Sequence, residues 1–339
     1  MLYLIVLILV TGIAVHNYRH FILHRHNDPL DRLPFEGRVY RLGDNLVAHR
    51  NGPAHANRTV VCMPGFMETI AYFVELYQDE EVDLILVNNC CYQSPVEDDT
   101  AIHPDWYVSN PYEPGTVQYD AFVMVQVIQH LPRTDNIVLH GHSRGAAVML
   151  EAGRLLQRMP RQRRIYTALL EAPVLPRGKA RGHDAPLLVR IAVRYFMPLA
   201  FYRYRRNATR YLKFGGYCQP HTDIKQHIIS QYFRNPQQYH ITITNLRGMD
   251  QWVDETDVDI YRYLDQVVVM VPEKDIVLDR NSMYRNAIGH ANVRVLEVDR
   301  ADHFISLERP EYVRSLVRRL HQGCEPGSVP VQLVSGHLA

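Results

Sequence analysis

Lysine is nearly absent from this sequence: Lys179, Lys213, Lys225 and Lys274 are its only occurrences, and arginine carries the rest of the basic charge. A charge excess is absent too, since 37 Lys and Arg against 36 Asp and Glu leave a formal net charge of +1. Binding to nucleic acid through its phosphates wants a basic surplus, so that class is disfavoured. The 47% apolar content disfavours disorder. Cysteines Cys62, Cys90, Cys91, Cys218 and Cys324 are odd in number, include a vicinal pair and lack zinc-ligand spacing. They argue against a disulfide framework and for a reducing compartment. No dinucleotide fingerprint, phosphate-binding loop or metal-ligand pattern occurs, so nothing calls for a cofactor or a metal. There are no internal repeats.

The amino terminus lacks charge in another way. Leu2 to Val15 carries no ionisable acid or base apart from Tyr3, and no Lys or Arg precedes it. The run is shorter than the roughly 20 residues a bilayer span needs. It extends through Tyr18, Phe21, Ile22 and Leu23 if Arg19 snorkels to the interface. The basic leader and small-residue cleavage site of a signal peptide are not evident. The expectation is therefore an uncleaved, single-pass membrane anchor. Arg19, Arg25 and Arg32 follow the run, and by the positive-inside rule they place the remainder on the cytoplasmic side. His16, His20, His24 and His26 have no carboxylate or cysteine to complete a ligand set and read as interfacial polar residues.

Beyond this segment, strand and helix signals alternate. Arg38–Leu42 and Leu46–His49 predict a hairpin turning at Gly43-Asp44-Asn45. Apolar strands follow at Thr59–Met63, Val82–Val87, Ile137–Leu139, Tyr166–Leu170, Val267–Val271 and Val293–Val298. Helices are expected at Ile70–Tyr77, Val117–Leu131 and Ala146–Leu156. Asn88–Gly115, rich in Pro, Asp, Asn and Tyr, reads as a long loop near a site edge. This alternation is the pattern of a mostly parallel sheet with helices on both faces, an α/β fold.

The most informative stretch is His140-Gly141-His142-Ser143-Arg144-Gly145-Ala146-Ala147, which lies between a strand and a helix. Gly141-x-Ser143-x-Gly145 has the form of a nucleophile elbow. A serine held on a sharp strand-to-helix turn requires almost no side chain two residues before and after it. The turn presents its hydroxyl at the sheet edge and aims backbone N–H groups at any oxyanion formed there.

With those residues in place, the chain resembles the α/β-hydrolase family over about residues 36 to 322. Three pieces match: the Gly141–Gly145 elbow, the strand-then-acid segment Val267–Asp275, and Asp302-His303-Phe304 after the last strand. The resemblance implies a Ser-Asp-His triad of Ser143, Asp275 and His303, with Asp279 as the fallback acid and Glu171 a weaker one. It implies an oxyanion hole made by the backbone N–H groups of Arg144 and Phe66, with Met67 as the other possible second donor. Pro64 departs from the family pattern, which commonly has histidine there. The resemblance also implies a helical cap inserted after the sixth strand.

The resulting division is an anchor and linker at 1–35, core at 36–174, cap at 175–255, core at 256–322 and a flexible tail at 323–339. Within the cap, Leu187–Phe214 interleaves Leu187, Leu188, Ile191, Phe196 and Phe201 with Arg190, Arg194, Arg203, Arg205, Arg206, Arg210 and Lys213. Tyrosines 195, 202, 204 and 211 lie among them. Such a segment suits either an anionic membrane surface or an ordinary cap helix with solvated arginines, and Pro198 is expected to kink or divide it. The expected function is a membrane-anchored serine hydrolase of carboxylic esters, lipase- or lysophospholipase-like, acting on a small-molecule or lipid ester. The alternatives are acyltransferase or thioesterase chemistry on the same residues, or a catalytically silent scaffold acting as a membrane-tethered binding protein.

Overall fold

The computed structural model describes residues 1–96, 100–159, 164–181, 185–205, 223–236 and 238–320. Arg206, Arg210, Tyr211, Lys213, Phe214 and Cys218 of the expected cap, and the tail with Cys324, lie outside the described residues.

Eight strands form one sheet: β1 Arg38–Leu42, β2 Asn45–Arg50, β3 Thr59–Met63, β4 Asp83–Val87, β5 Asn136–His142, β6 Ile165–Glu171, β7 Gln266–Pro272 and β8 Val293–Val298. Their spatial order is β1-β2-β4-β3-β5-β6-β7-β8. Only β2 runs against its neighbours; every pairing from β4 to β8 is parallel. The central strands are unbroken apolar runs because both faces are covered. Alternate side chains go to opposite sides. Val61, Ile85 and Leu139 meet α3 (Val117–His130) and α4 (Arg144–Leu156) on one face. Val60, Cys62, Leu84 and Val138 meet α2 (Ala71–Tyr77) and the closing helix Pro310–Leu320 on the other. The predicted hairpin, strands and core helices are all present within a residue or two at most ends.

Among the described residues, three α-helices stand between β6 and β7: α5 Leu187–Tyr204, α6 Asp223–Gln231 and α7 Gln238–Glu255. They form the expected insertion. Helix α7 is tied to the core by buried Trp252, whose Nε1–H donates to Glu151 Oε2 at 3.2 Å. Of the two outcomes expected at Pro198, a kink or a division, the second does not occur. Pro198 does not divide α5, which continues as one helix through it, with Pro198 the buried residue of that helix. The missing N–H costs one intrahelical bond, and neighbouring packing covers the position.

Helix α1 spans Leu2–Leu23. Its first two-thirds stand clear of the rest of the molecule, while Ile22 and Leu23 are buried against Tyr239, with Leu199, Phe201 and Tyr202 around them. It is the one helix among the described residues that is long and apolar enough to cross a membrane.

Candidate active site

Ser143 sits between β5 and α4 with φ 49° and ψ −114°, a left-handed backbone that few side chains tolerate. The flanking glycines explain how the turn is reached. A Cβ on Gly145 would lie 2.0 Å from the Met63 carbonyl oxygen, and one on Gly141 would lie 2.6 Å from that of Gly145. The strained residue is held from both sides. Its N–H donates to the Glu171 carbonyl at 2.8 Å, and its own carbonyl accepts from Val174 at 3.1 Å.

The side chain opens into a cavity of about 340 Å³ lined by Phe66, Met67, Glu68, Ser143, Phe201, Ile229, Tyr232, Phe233, Ile276, Val277, His303 and Phe304. Core and cap both contribute to this wall, and it is mostly apolar. His303 lies on the turn after β8, and its Nδ1–H donates to Asp275 Oδ2 at 2.8 Å. A carboxylate only accepts, so this bond fixes the hydrogen on Nδ1 and leaves Nε2 as the basic nitrogen. Asp275 follows β7 and is almost wholly buried. Burial alone would raise its pKa. The His303 partner and the N–H groups of Leu278 and Val277 on its Oδ1 (2.8 and 2.7 Å) outweigh burial and hold it below the usual carboxylate range.

The other acids face elsewhere. Asp279 caps the helix Arg280–Ala287, accepting the Ser282 N–H at 2.5 Å. Glu171 is fully buried and is occupied by Tyr72 O–H, by His140 Nε2–H at 3.3 Å, and by the Ser306 N–H and O–H at 2.6 Å each. Burial alone would raise Glu171, but these donors and the charges of His140 and His142 hold it down to about 2.

Of the oxyanion candidates, Arg144 is the first residue of α4, so its N–H has no intrahelical acceptor. The Arg144 side chain is fully buried, donating to Asn89 Oδ1 at 2.8 Å and to the Gly115 and Thr116 carbonyls at 3.0 Å, with Asp120 Oδ2 at 2.7 Å. It bolts the elbow to the start of α3. Phe66 lines the cavity on the turn after β3. The Met67 N–H already donates to the Tyr92 hydroxyl at 3.2 Å.

The structure adds residues that sequence reading missed. His142, beside the serine, is fully buried, and its ring lies flat on Tyr72 with centroids 4.5 Å apart. Its Nδ1–H donates to Glu68 Oε2 and its Nε2–H to the His303 carbonyl, each at 2.7 Å. Glu68 Oε2 also accepts the Gly65 N–H at 2.5 Å. Both ring nitrogens thus face acceptors, the pattern of an imidazolium. Burial alone would lower its pKa, but Glu68 and Glu171 more than offset this and raise it to about 9. The turn carrying His303 is held from behind as well. Lys225 of α6 reaches Asp302 Oδ2 at 2.7 Å and also contacts Glu308, while the Asp302 N–H donates to Glu308 Oε2 at 2.6 Å. Burial, together with Asp302, pushes the Glu308 carboxyl up to about 8.

Among the described residues, ligand atoms of Asp44, Cys90 and Cys91 lie within 4.8 Å of one another at the β1–β2 turn. None of the three lines the cavity.

Solved structures share this architecture. The chain is similar to carboxylesterase CesB from Bacillus subtilis (15% identity, 93% of this chain and 98% of that one, TM-score 0.52). It is similar to an esterase from Exiguobacterium antarcticum (18%, 84% and 99%, 0.57). It is also similar to an E-2-(acetamidomethylene)succinate hydrolase (16%, 84% and 98%, 0.57). No curated protein sequence matches it. A profile of the Alpha/beta hydrolase family matches residues 60–316. With the sheet order and the insertion after β6, that match establishes that the chain belongs to the alpha/beta hydrolase family.

Proposed function

We propose that the protein is a membrane-anchored serine hydrolase that cleaves carboxylic esters with long apolar acyl groups. The observation that supports this most is the meeting of Ser143 and His303 in one apolar-walled cavity, with the Asp275 carboxylate 2.8 Å from His303 Nδ1. Ser143 Oγ attacks the ester carbonyl carbon as its proton passes to His303 Nε2. The backbone N–H groups of Phe66 and Arg144 take the negative charge on the carbonyl oxygen. Collapse of this intermediate expels the alcohol, which takes the proton from His303, and leaves an acyl group on Ser143. Water then repeats the sequence and releases the acid. Asp275 keeps the imidazole in the tautomer the first step needs and stabilises the imidazolium.

The cavity, at about 340 Å³, lies at the small end of ligand sites. It has room for an acyl group, with the remainder of a lipid left outside. In this reading α1 spans the bilayer, and Arg19, Arg25 and Arg32 keep the catalytic domain on the cytoplasmic side. The test is labelling of detergent-solubilised protein by a fluorophosphonate probe. Labelling of wild type that is lost in both Ser143→Ala and His303→Ala is expected. Undiminished labelling of Ser143→Ala would overturn the assignment.

A further inference from the structure

Helices α1 and α5 run in the same direction. His16 Nδ1 is 3.0 Å from the Tyr195 hydroxyl, Arg19 Nε–H donates to the Tyr195 carbonyl at 3.0 Å, and Arg25 stacks over the Tyr202 ring. As the number rises on one helix it rises on the other, so the first turns of α5 extend toward the free apolar end of α1. Those turns carry an uncovered apolar face: Leu188 is 79% exposed, Val189 47%, Val193 61% and Phe196 50%. The arginines of this stretch turn away from that face. Arg190 and Arg194 both reach Asp250 Oδ2 on α7, on the side of the helix away from that face.

The length of α1 gives a second, independent argument. Its uncharged run Leu2–Val15 is about 21 Å long at 1.5 Å per residue, against a hydrocarbon thickness of about 30 Å. The missing ~9 Å is about six more residues. Those residues, His16 to Phe21, are the ones that run beside Tyr195. For α1 to span, the bilayer edge must reach the level at which the two helices touch. Tyr18, Tyr195 and Tyr202 gather at that level, with Tyr18 edge-on to Tyr202 at 6.4 Å, as aromatic residues do at a membrane interface.

We propose that the outward face of α5 inserts into the same leaflet that receives the end of α1, so that the cap is seated in the bilayer. The contact is with lipid hydrocarbon, because the exposed face of the first turns is built from Leu188, Val189, Val193 and Phe196 while Arg190 and Arg194 point to Asp250 on α7. The same helix reaches the cavity at its other end through Phe201. The cap is therefore also the path by which a bilayer lipid ester enters, a step that rests on the ester-hydrolase reading; the insertion itself does not.

The full-length protein reconstituted in phosphatidylcholine vesicles tests both parts. With a Leu188→Trp reporter, vesicles containing lipid brominated near the headgroup end of the acyl chain should quench the added fluorescence by at least half. Adding phosphatidylserine should change this little. An added tryptophan that lipid bromines do not quench overturns the insertion, whether it is open to water or covered by a second copy or another protein. The double variant Val193→Glu/Phe196→Glu should hydrolyse a vesicle-borne lipid ester at least tenfold more slowly while keeping wild-type kcat/KM on a short water-soluble ester. Equal rates on the vesicle substrate, or equal loss on both substrates, overturn the delivery path. Absence of activity on every ester in both proteins would defeat the hydrolase reading, and with it the delivery path, while the quenching result would still decide the insertion.

Discussion

Replacing Glu68 by Gln removes one negative charge from a buried pair and leaves its shape almost intact. The amide oxygen can still accept the Gly65 N–H and the His142 Nδ1–H, but it no longer favours the imidazolium. In the wild type His142 is raised from 6.5 to about 9. A shift of roughly 2.5 units at 1.36 kcal/mol each is about 3 kcal/mol of stability linked to this proton. The sign follows from a cation whose folded pKa is raised: the contribution is complete below about 6.5 and is lost as pH rises through about 9. With an unfolding entropy of about 2.1 cal/mol/K per residue, that loss corresponds to roughly 5 °C of Tm in a chain of this size. Thermal unfolding in detergent micelles from pH 6 to 9.5 should show the wild type declining by about this amount more than Glu68→Gln. The variant should begin lower at pH 6, because burial then disfavours the His142 charge. Parallel profiles for the two proteins would refute the assignment of a buried imidazolium next to Ser143.

Other substitutions separate the three acids and test the elbow. Asp275→Asn should lower kcat on any ester substrate by about 10³–10⁴-fold, whereas Asp279→Ala should leave kcat alone and cost about 1 kcal/mol of stability through its lost helix cap; the reverse pattern would exchange their roles. Glu171 is held down from 4.5 to about 2, so its contribution is present above 4.5 and lost as pH falls through 2. Acid unfolding of Glu171→Gln should therefore be flatter than that of wild type across this window, as followed by circular dichroism. Gly145→Ala places a methyl group against the Met63 carbonyl. It should destabilise by more than about 2 kcal/mol and abolish probe labelling, whereas a stable, labelled variant would show that the elbow can relax.

The sheet was legible because its central strands are apolar on both faces and their ends are marked by glycine, proline or acid. Ser143, Asp275 and His303 were legible for the same reason: each follows a strand end, so local pattern alone brought them to one edge. Preferring Asp275 to Asp279 and Glu171 in the proposed triad rests on the hydrogen bonds, since three acids near strand or helix ends look alike in one dimension. Glu68, His142 and Lys225 were not legible. Their partners are distant in sequence, as in His142 to the His303 carbonyl and Lys225 to Asp302, and a buried charge resembles a solvated one until its surroundings are known. His142 did offer a signal, an ionisable ring next to Ser143 at the end of a buried strand. The α5 arginines left two readings open in sequence, because composition reports charge without saying that Arg190 and Arg194 turn to Asp250.

The grip of Lys225 on Asp302 and Glu308 bears on how this enzyme can diversify. A cap that only covers a pocket is a replaceable module: another helix of similar size can be grafted in to change the substrate. Here the cap supplies the positive charge for two buried carboxylates on the turn that carries His303. Exchanging it for a cap without a cation at that position would leave those acids facing one another behind the histidine. Specificity and competence are thereby inherited together, and any transplanted cap must bring its own Lys225.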